Sequence, residues 1–539
     1  MKILPLALRT ALIFLLLAAC TPVPKSPDLN AIYASVAEAG DGALRRPLIT
    51  VPGTLGSRLI DSVTGTIVWG GGSRGLSADP TDPEEARLIA LPLLDDTLAF
   101  EAQRDSVRPA GVLDTAEADV LGLKVTLEVY GGVRRTLSAG GFRVGPPRER
   151  DETEGFDDLT GATPLPPGPD QYRDLAENPE TAFRFDYDWR RDIASLAQDF
   201  HDFILQRRQF VADQRSRMSG REVRPEEVTF DLLAHSMGGL VTRYYLMHGP
   251  APLGEDGTLP PITWAGARHF NRVIIVATPN AGSILAMDNL VNGKELGPFQ
   301  PVYEAALLAT HASTWQLMPR ARHNRVRYAD PAAPDPVDPY DPTLWERYRW
   351  GLASEAAEPL LSWLLPGVED AAERRDRALT HQRRMLARAE RFHLAMDRWA
   401  PKPDDLEMFL VVGGGFETAA EAQVDRDTGS FGLSSVEEGD GVVLRASVLL
   451  DERQGGDYVS GLQTPLRFDT TLFLPDEHVE LTKNPVFGDN LLFWLLEQPR
   501  DKGDLARTRK PALAALGAPD APAEAAADEP DLPPSGSER

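Results

Sequence analysis

The sequence predicts an α/β layered fold with a mostly parallel central sheet. From about Asn30 to Gln498, short apolar runs of strand length alternate with stretches whose apolar residues recur at helical spacing. A chain of 539 residues, 42% hydrophobic, has ample material for a large core. No repeat of solenoid or propeller period competes with that reading.

The elements follow in order. Leu48-Ile49-Thr50-Val51 is a short strand ended by Pro52-Gly53. Val129 to Leu137 has helical character, closed by Gly140-Gly141. Phe183 to Tyr187 is a strand, and apolar residues from Ile193 to Phe210 recur at helical spacing between Arg190 and Arg217. Val228 to Leu233 is a strand entering a turn, and Gly238 to Met247 is the helix leaving it. Arg272 to Ala277 and Glu407 to Val412 are strands separated by a long, mostly helical insertion, residues 283–403. Arg467 to Phe473 is the last strand. Asn484 then caps a final helix with Pro485 at its first position and Leu491, Leu492, Trp494, Leu495 and Leu496 as packing residues. These elements define one domain over residues 46–500. Residues 145–180, rich in Pro, Gly and acids, read as a surface insertion, and 501–539 as a disordered acidic tail. Asp330 to Pro342 repeats Asp-Pro four times and cannot be one helix.

A formal charge of −25 argues against nucleic acid, because phosphate binding needs clustered Lys and Arg. The single cysteine excludes an intramolecular disulfide. Residues 1–19 read as a signal peptide, with Lys2 and Arg9 as its basic start and Ala11 to Ala19 as its apolar run. That run ends in Leu17-Ala18-Ala19-Cys20, which resembles the lipobox of bacterial lipoproteins. The resemblance implies a lipidated Cys20, a tether over 20–45, and a protein held on a membrane of the bacterial envelope. No His/Cys/carboxylate cluster has metal spacing and no Gly-rich phosphate loop appears, so no metal or cofactor is expected.

The chemistry centres on Ala234-His235-Ser236-Met237-Gly238. A serine hydroxyl becomes a nucleophile only when a base removes its proton and donors stabilise the resulting oxyanion. A tight turn between strand and helix lifts the hydroxyl clear of the sheet, and small flanking residues let that turn close. Ala234 stands where the Gly-x-Ser-x-Gly pattern has its first glycine, and still meets the demand for a small side chain. In this arrangement acid and base follow the serine in that order. His478 is the candidate base, because His311, His323, His381 and His393 fall in the insertion and His235 sits inside the turn. Asp440, between Gly439 and Gly441, is the candidate acid; Asp425 and Asp427 compete but lie in what reads as a hairpin tip. Met237 and either Thr54 or Leu55, with Thr54 preferred, are the candidate oxyanion-hole amides.

Taken together, Pro52-Gly53-Thr54-Leu55-Gly56-Ser57, Tyr187-Asp188-Trp189-Arg190, Ala234 to Gly239, Ala277-Thr278-Pro279-Asn280, Gly439-Asp440-Gly441 and His478 resemble the lecithin:cholesterol acyltransferases and related phospholipases in order. The resemblance spans roughly residues 48–498. It implies an α/β-hydrolase fold with cap and lid insertions, and transfer of fatty-acyl groups from lipid esters to water or an alcohol. It places the triad on Ser236, Asp440 and His478 and the oxyanion donors on Thr54 and Met237. One departure is Val442, where the family commonly has Thr. The insertion is then expected to shape an acyl pocket. Its apolar run from Pro359 to Pro366 is either a lipid-touching lid or cap core, the second reading being preferred. Arg374 to Arg398 reads as a basic helix that either meets anionic headgroups or presents a solvated face, the second reading being preferred. Two alternatives stand beside the acyl-lipid reading: an esterase or thioesterase for small soluble esters, and an inactive lipoprotein that keeps the fold for binding.

Overall fold

A computed structural model describes residues 26–38, 45–72, 75–120, 123–144, 180–295, 302–330, 335–453 and 459–498. Residues 1–19, expected to be a signal peptide, as well as Cys20, nearly all of residues 145–180 and those from 501 onward lie outside the described residues. The chain divides into two units, Met1–Leu492 and Phe493–Arg539.

The first unit is organised by a six-stranded sheet: β1 (Leu48–Val51), β2 (Ala182–Arg184), β3 (Phe230–His235), β4 (Phe270–Val276), β5 (Glu407–Gly413) and β6 (Thr470–Leu474). Its order is β6-β5-β4-β3-β1-β2, and every pairing is parallel. This is the expected α/β-hydrolase architecture. Parallel strands need long crossovers that cover both faces, which explains why β3 to β5 each contain consecutive apolar residues, Leu232 to Ala234, Val273 to Val276 and Met408 to Val412, rather than an alternating pattern. Because all strands run one way, their carboxyl ends share one rim. Val51 pairs with Ala234, Val276 with His235, and Gly413 with Leu474. The loops that follow these residues therefore meet, which is where open α/β sheets place their ligands.

The main helices begin and end where the sequence supplies caps. Helix α1 (Ile193–Ser219) starts at Asp192, whose carboxylate accepts from the Ser195 amide at 2.8 Å, and stops at Gly220 with φ of 67°. Helix α2 (Met237–His248) leaves the serine turn, and α3 (Ala371–Met396) is the long helix of the insertion between β4 and β5. Helix α4 (Pro485–Leu492) is capped by Asn484, which accepts from the Val486 amide at 2.7 Å. The packing run expected to extend α4 does not continue it: Phe493–Glu497 adopts π-helical geometry and opens the second unit. The expected helix over Val129 to Leu137 runs instead from Gly131 to Ala139, because Val129 and Tyr130 are tied back to the strand-end carbonyls of Asp114 and Leu113.

Two expectations for the insertion are resolved by packing. The Pro359–Pro366 run forms a short helix, Glu358–Leu364, whose Leu360 and Leu361 are buried, so it is core of the insertion rather than a free apolar face. Helix α3 has the expected solvated face, with Arg377 and Arg383 about half exposed, but its opposite side carries a buried ion pair. Arg388 and Asp192 meet at 2.8 Å with both side chains almost fully enclosed. Arg320, itself buried, meets Asp397 just beyond the end of α3 at 2.8 Å. Such charges are tolerated inside only because each is matched and hydrogen-bonded; removing one partner strands the other. The first pair fastens the insertion to α1, and Arg320 also donates to the Asn280 carbonyl at 2.6 Å, which ties the insertion to the loop after β4. Among the described residues, no helix is long and apolar enough to cross a membrane.

Candidate active site

From Phe230 to Gly249 every residue is buried except Ser236. Its backbone sits at φ 53°, ψ −128°, a strained conformation for a residue with a side chain, and one that a tight strand-to-helix turn demands. The flanking residues show why they must be small. A Cβ on Gly238 would lie 2.3 Å from the Pro52 carbonyl oxygen, and one on Gly239 would lie 1.9 Å from Thr278 Oγ1. That Thr278 hydroxyl donates to the Ser236 carbonyl at 2.9 Å, so the Ala277-Thr278-Pro279-Asn280 segment buttresses the turn from the β4 side. Ser236 occupies the N-cap position of α2, yet its side chain caps nothing.

The Ser236 hydroxyl instead meets His478. Ser236 Oγ lies 2.9 Å from His478 Nε2, and His478 Nδ1 lies 2.7 Å from Asp440 Oδ2. The carboxylate oxygen can only accept, so Nδ1 carries the ring proton and Nε2 presents its lone pair to the serine. Asp440 Oδ1 is held by the amides of Val442 at 3.0 Å and Val443 at 2.7 Å. Burial alone pushes the Asp440 carboxyl up, but the His478 bond and these amides outweigh it and keep it below the usual range. The Val442 departure has a simple reading: its contribution is a backbone N–H, which any residue but proline supplies. A backbone bond from the His478 amide to the Asp440 carbonyl, 2.9 Å, locks the two loops together. Asp425 and Asp427 lie elsewhere, in the turn between the antiparallel strands Phe416–Val424 and Phe431–Gly439.

The loop after β1 is pinned at almost every polar atom. Tyr187 donates its hydroxyl to the Pro52 carbonyl at 2.6 Å, and Trp189 donates to the Ser57 carbonyl at 3.3 Å. Trp69 donates to the Leu55 carbonyl at 2.7 Å, and the Gly56 amide closes a turn onto the Gly53 carbonyl at 3.1 Å. The Thr54 amide takes part in none of these bonds. Leu55 has φ of 64°, and the Thr54 hydroxyl donates to the Met237 sulfur at 3.3 Å, bringing both expected oxyanion residues side by side. Met237 begins α2, where helix geometry leaves the first N–H groups without intrahelical acceptors. The Tyr187-Asp188-Trp189-Arg190 segment thus acts as the loop's support. Fully buried Arg190 holds it in place through Asp188 at 2.7 Å and Asp105 at 3.0 Å.

Three contributors escape sequence reasoning. Gly53 approaches so closely that a Cβ there would sit 2.7 Å from the Ser236 Cβ. His235, set aside as a base because it sits inside the turn, bonds to the His478 carbonyl through Nε2 at 3.0 Å. Its other nitrogen bonds to the Tyr130 hydroxyl at 2.8 Å, and Tyr130 carried no site expectation at all. Only the turn residue Gly53 had a local signal, the Pro-Gly pair. Among the described residues, no group of three or more His, Cys, Asp or Glu is placed to hold a metal ion.

Residues 176–348 match the family model for lecithin:cholesterol acyltransferase. The matched segment is LCAT-like, and the parallel sheet it belongs to has the order of an α/β-hydrolase. The match supports a lipid-ester hydrolase or acyltransferase. It contains the Tyr187–Arg190 segment, the serine turn and Thr278, whereas the loop after β1, Asp440 and His478 lie outside it. No curated protein sequence matches the chain. Solved structures with similarity include a Tle4–Tli4 complex, at 13% identity and TM-score 0.47, covering 84% of this chain and 98% of the other. Lipase 1 from Pelosinus fermentans has 13% identity and TM-score 0.27, with 61% and 92% covered. EstA from Clostridium botulinum has 12% identity and TM-score 0.25, with 61% and 81% covered.

Proposed function

We propose that this LCAT-like chain cleaves or transfers the acyl group of a lipid ester, such as a phospholipid, through an acyl-Ser236 intermediate. The observation that carries the reading is the unbroken hydrogen-bonded series Ser236–His478–Asp440 at the single accessible point of an otherwise buried strand–turn–helix. His478 Nε2 takes the Oγ proton as Oγ attacks the ester carbonyl, while Asp440 stabilises the imidazolium. The amides of Met237 and Thr54 receive the oxyanion. His478 then passes the proton to the leaving alcohol, whose departure leaves the acyl-serine. Water or a second alcohol, deprotonated by the same nitrogen, attacks that ester and frees Ser236 with the acyl group on the acceptor. We assign to the helical insertion between β4 and β5 the shaping of the pocket for the acyl chain.

Labelling by a fluorophosphonate probe tests the reading. Wild-type protein is expected to label at one site, and Ser236→Ala to lose that labelling while keeping its melting temperature. Labelling of folded Ser236→Ala, or none of folded wild type, would falsify the assignment. Phospholipid turnover with and without an acceptor alcohol then separates hydrolysis from transfer. Turnover confined to small soluble esters in both conditions defeats the lipid-ester assignment.

We also propose that Cys20 carries lipid and holds the domain on a membrane of the bacterial envelope, an arrangement suited to a substrate that resides in the bilayer. The Leu17-Ala18-Ala19-Cys20 sequence supports this. Cys20→Ser is expected to move the protein from the membrane fraction to the soluble one and to abolish incorporation of an alkyne-tagged fatty acid. A variant that stays membrane-bound and tagged sinks the proposal.

A further inference from the structure

Tyr130 and His235 stand behind the nucleophile and belong to no step of the reaction just described. Their bonds nevertheless join both halves of the site. The Gly53 amide donates to the Tyr130 hydroxyl at 2.7 Å, and that hydroxyl lies 2.8 Å from His235 Nδ1. His235 Nε2 lies 3.0 Å from the His478 carbonyl oxygen. A carbonyl only accepts, so Nε2 carries the His235 proton. The ring is buried and stays neutral, its pKa lowered by burial first and the neighbouring His478 second, to about 3. Nδ1 is therefore an acceptor, and the Tyr130 O–H donates to it. Burial pushes the Tyr130 hydroxyl up, so it remains a donor. Every proton in the series Gly53 N–H, Tyr130 O–H, His235 Nε2–H has one acceptor, and the direction is unambiguous.

We propose that Tyr130 and His235 are positioning residues that hold the amide loop at Gly53–Thr54 and the loop of His478 at a fixed separation. The oxyanion donors and the proton acceptor then address the same tetrahedral carbon. The inference rests on the acyl-Ser236 reading. Three features favour it over simple packing. The three bonds link positions 77, 105 and 243 residues apart, so nothing local maintains this spacing. The two loops they join follow β1 and β6, which are not neighbours in the sheet. Finally, the His235 and His478 rings lie 4.8 Å apart, close enough that a charge on His235 would oppose the imidazolium that His478 must become. Committing both His235 nitrogens to neutral hydrogen bonds prevents that.

The test uses the full-length protein with a chromogenic short-chain ester and the fluorophosphonate probe. Tyr130→Phe removes one oxygen and keeps the ring. It is expected to lower kcat about 10- to 100-fold with KM within about twofold, the size of effect that a misplacement near 1 Å brings. His235→Leu is expected to lose a similar amount. His235→Gln, whose amide can accept from Tyr130 and donate to the His478 carbonyl, is expected to recover most of the rate. The double variant Tyr130→Phe/His235→Leu should be no slower than the slower single one. A purely packing role makes the opposite prediction, with Tyr130→Phe close to wild type and Leu no worse than Gln. If folded Tyr130→Phe keeps kcat within twofold, or Gln is as slow as Leu, the positioning role is overturned. Should Tyr130→Phe not fold, the Gln and Leu pair decides alone. Loss of labelling in wild type, or its persistence in Ser236→Ala, instead defeats the parent reading.

Discussion

Asp440→Asn is expected to lower kcat on the order of 10⁴-fold while leaving the fold intact. The asparagine oxygen can still accept the Val442 and Val443 amides that hold Asp440 Oδ1 at 3.0 and 2.7 Å, so the loop keeps its shape. The group facing His478 Nδ1 then becomes an N–H₂ donor. It pairs with a lone pair on Nδ1, which moves the ring proton to Nε2 and points it at Ser236. A base with its proton already in place cannot take the one on Oγ. Measured kcat should collapse while KM and melting temperature change little. A variant within about tenfold of wild type would show that Asp440 is not the orienting acid.

The second large effect is on stability. His235, His311, His381 and His393 are buried and neutral: burial lowers the first to about 3, His311 to about 4, His381 to about 3, and His393 well below its ordinary value. Geometry agrees. The His381 Nδ1 accepts the Leu94 amide at 2.8 Å, and His311 Nε2 bonds to the Ile89 carbonyl at 2.8 Å. Unfolded, each ring titrates near 6.5. Below that pH the unfolded chain binds protons that the folded one refuses, so the stability present above about pH 6.5 is lost as pH falls toward 4. Each ring contributes about 1.4 kcal/mol per pH unit, and four contribute roughly 5 kcal/mol per unit, against a typical total of about 5–15 kcal/mol. Carboxylates held below their usual range, such as Asp192 and Asp397, add to the loss only once pH falls below about 4. Melting temperature is therefore expected to drop steeply between pH 6.5 and 5, and His381→Gln to shallow the slope by about one proton. A melting temperature flat from pH 7 to 4.5 contradicts the account.

Most of the sheet was legible in the sequence because parallel strands buried on both faces must be mostly apolar, and β1, β3, β4 and β5 each hold a run of consecutive apolar residues. Their ends moved by two or three residues at most, where hydrogen bonds to neighbours rather than composition decided the limit. The cap at Asn484 was equally local, a single side chain acting within a few residues. The serine turn was readable for the same reason: small residues at 234, 238 and 239 are a steric requirement written in consecutive positions. His478 emerged by elimination along the chain.

What local pattern could not hold was partnership across distance. Arg388 read as one charge on a basic helix, yet it pairs with Asp192, 196 residues away. The chain from Gly53 through Tyr130 and His235 to His478 leaves no trace in any window of sequence, because each hydrogen bond needs only the right atom at the right place, supplied by a different crossover. The sequence by itself determined the layered fold, the caps, the strained serine and the residue types for its chemistry. Only the tertiary structure decided how close Gly53 comes, which way His235 faces and what surrounds the buried charges. Those depend on parallel strands bringing their carboxyl ends to one rim, a convergence of segments from residue 52 to residue 478 that no periodicity encodes.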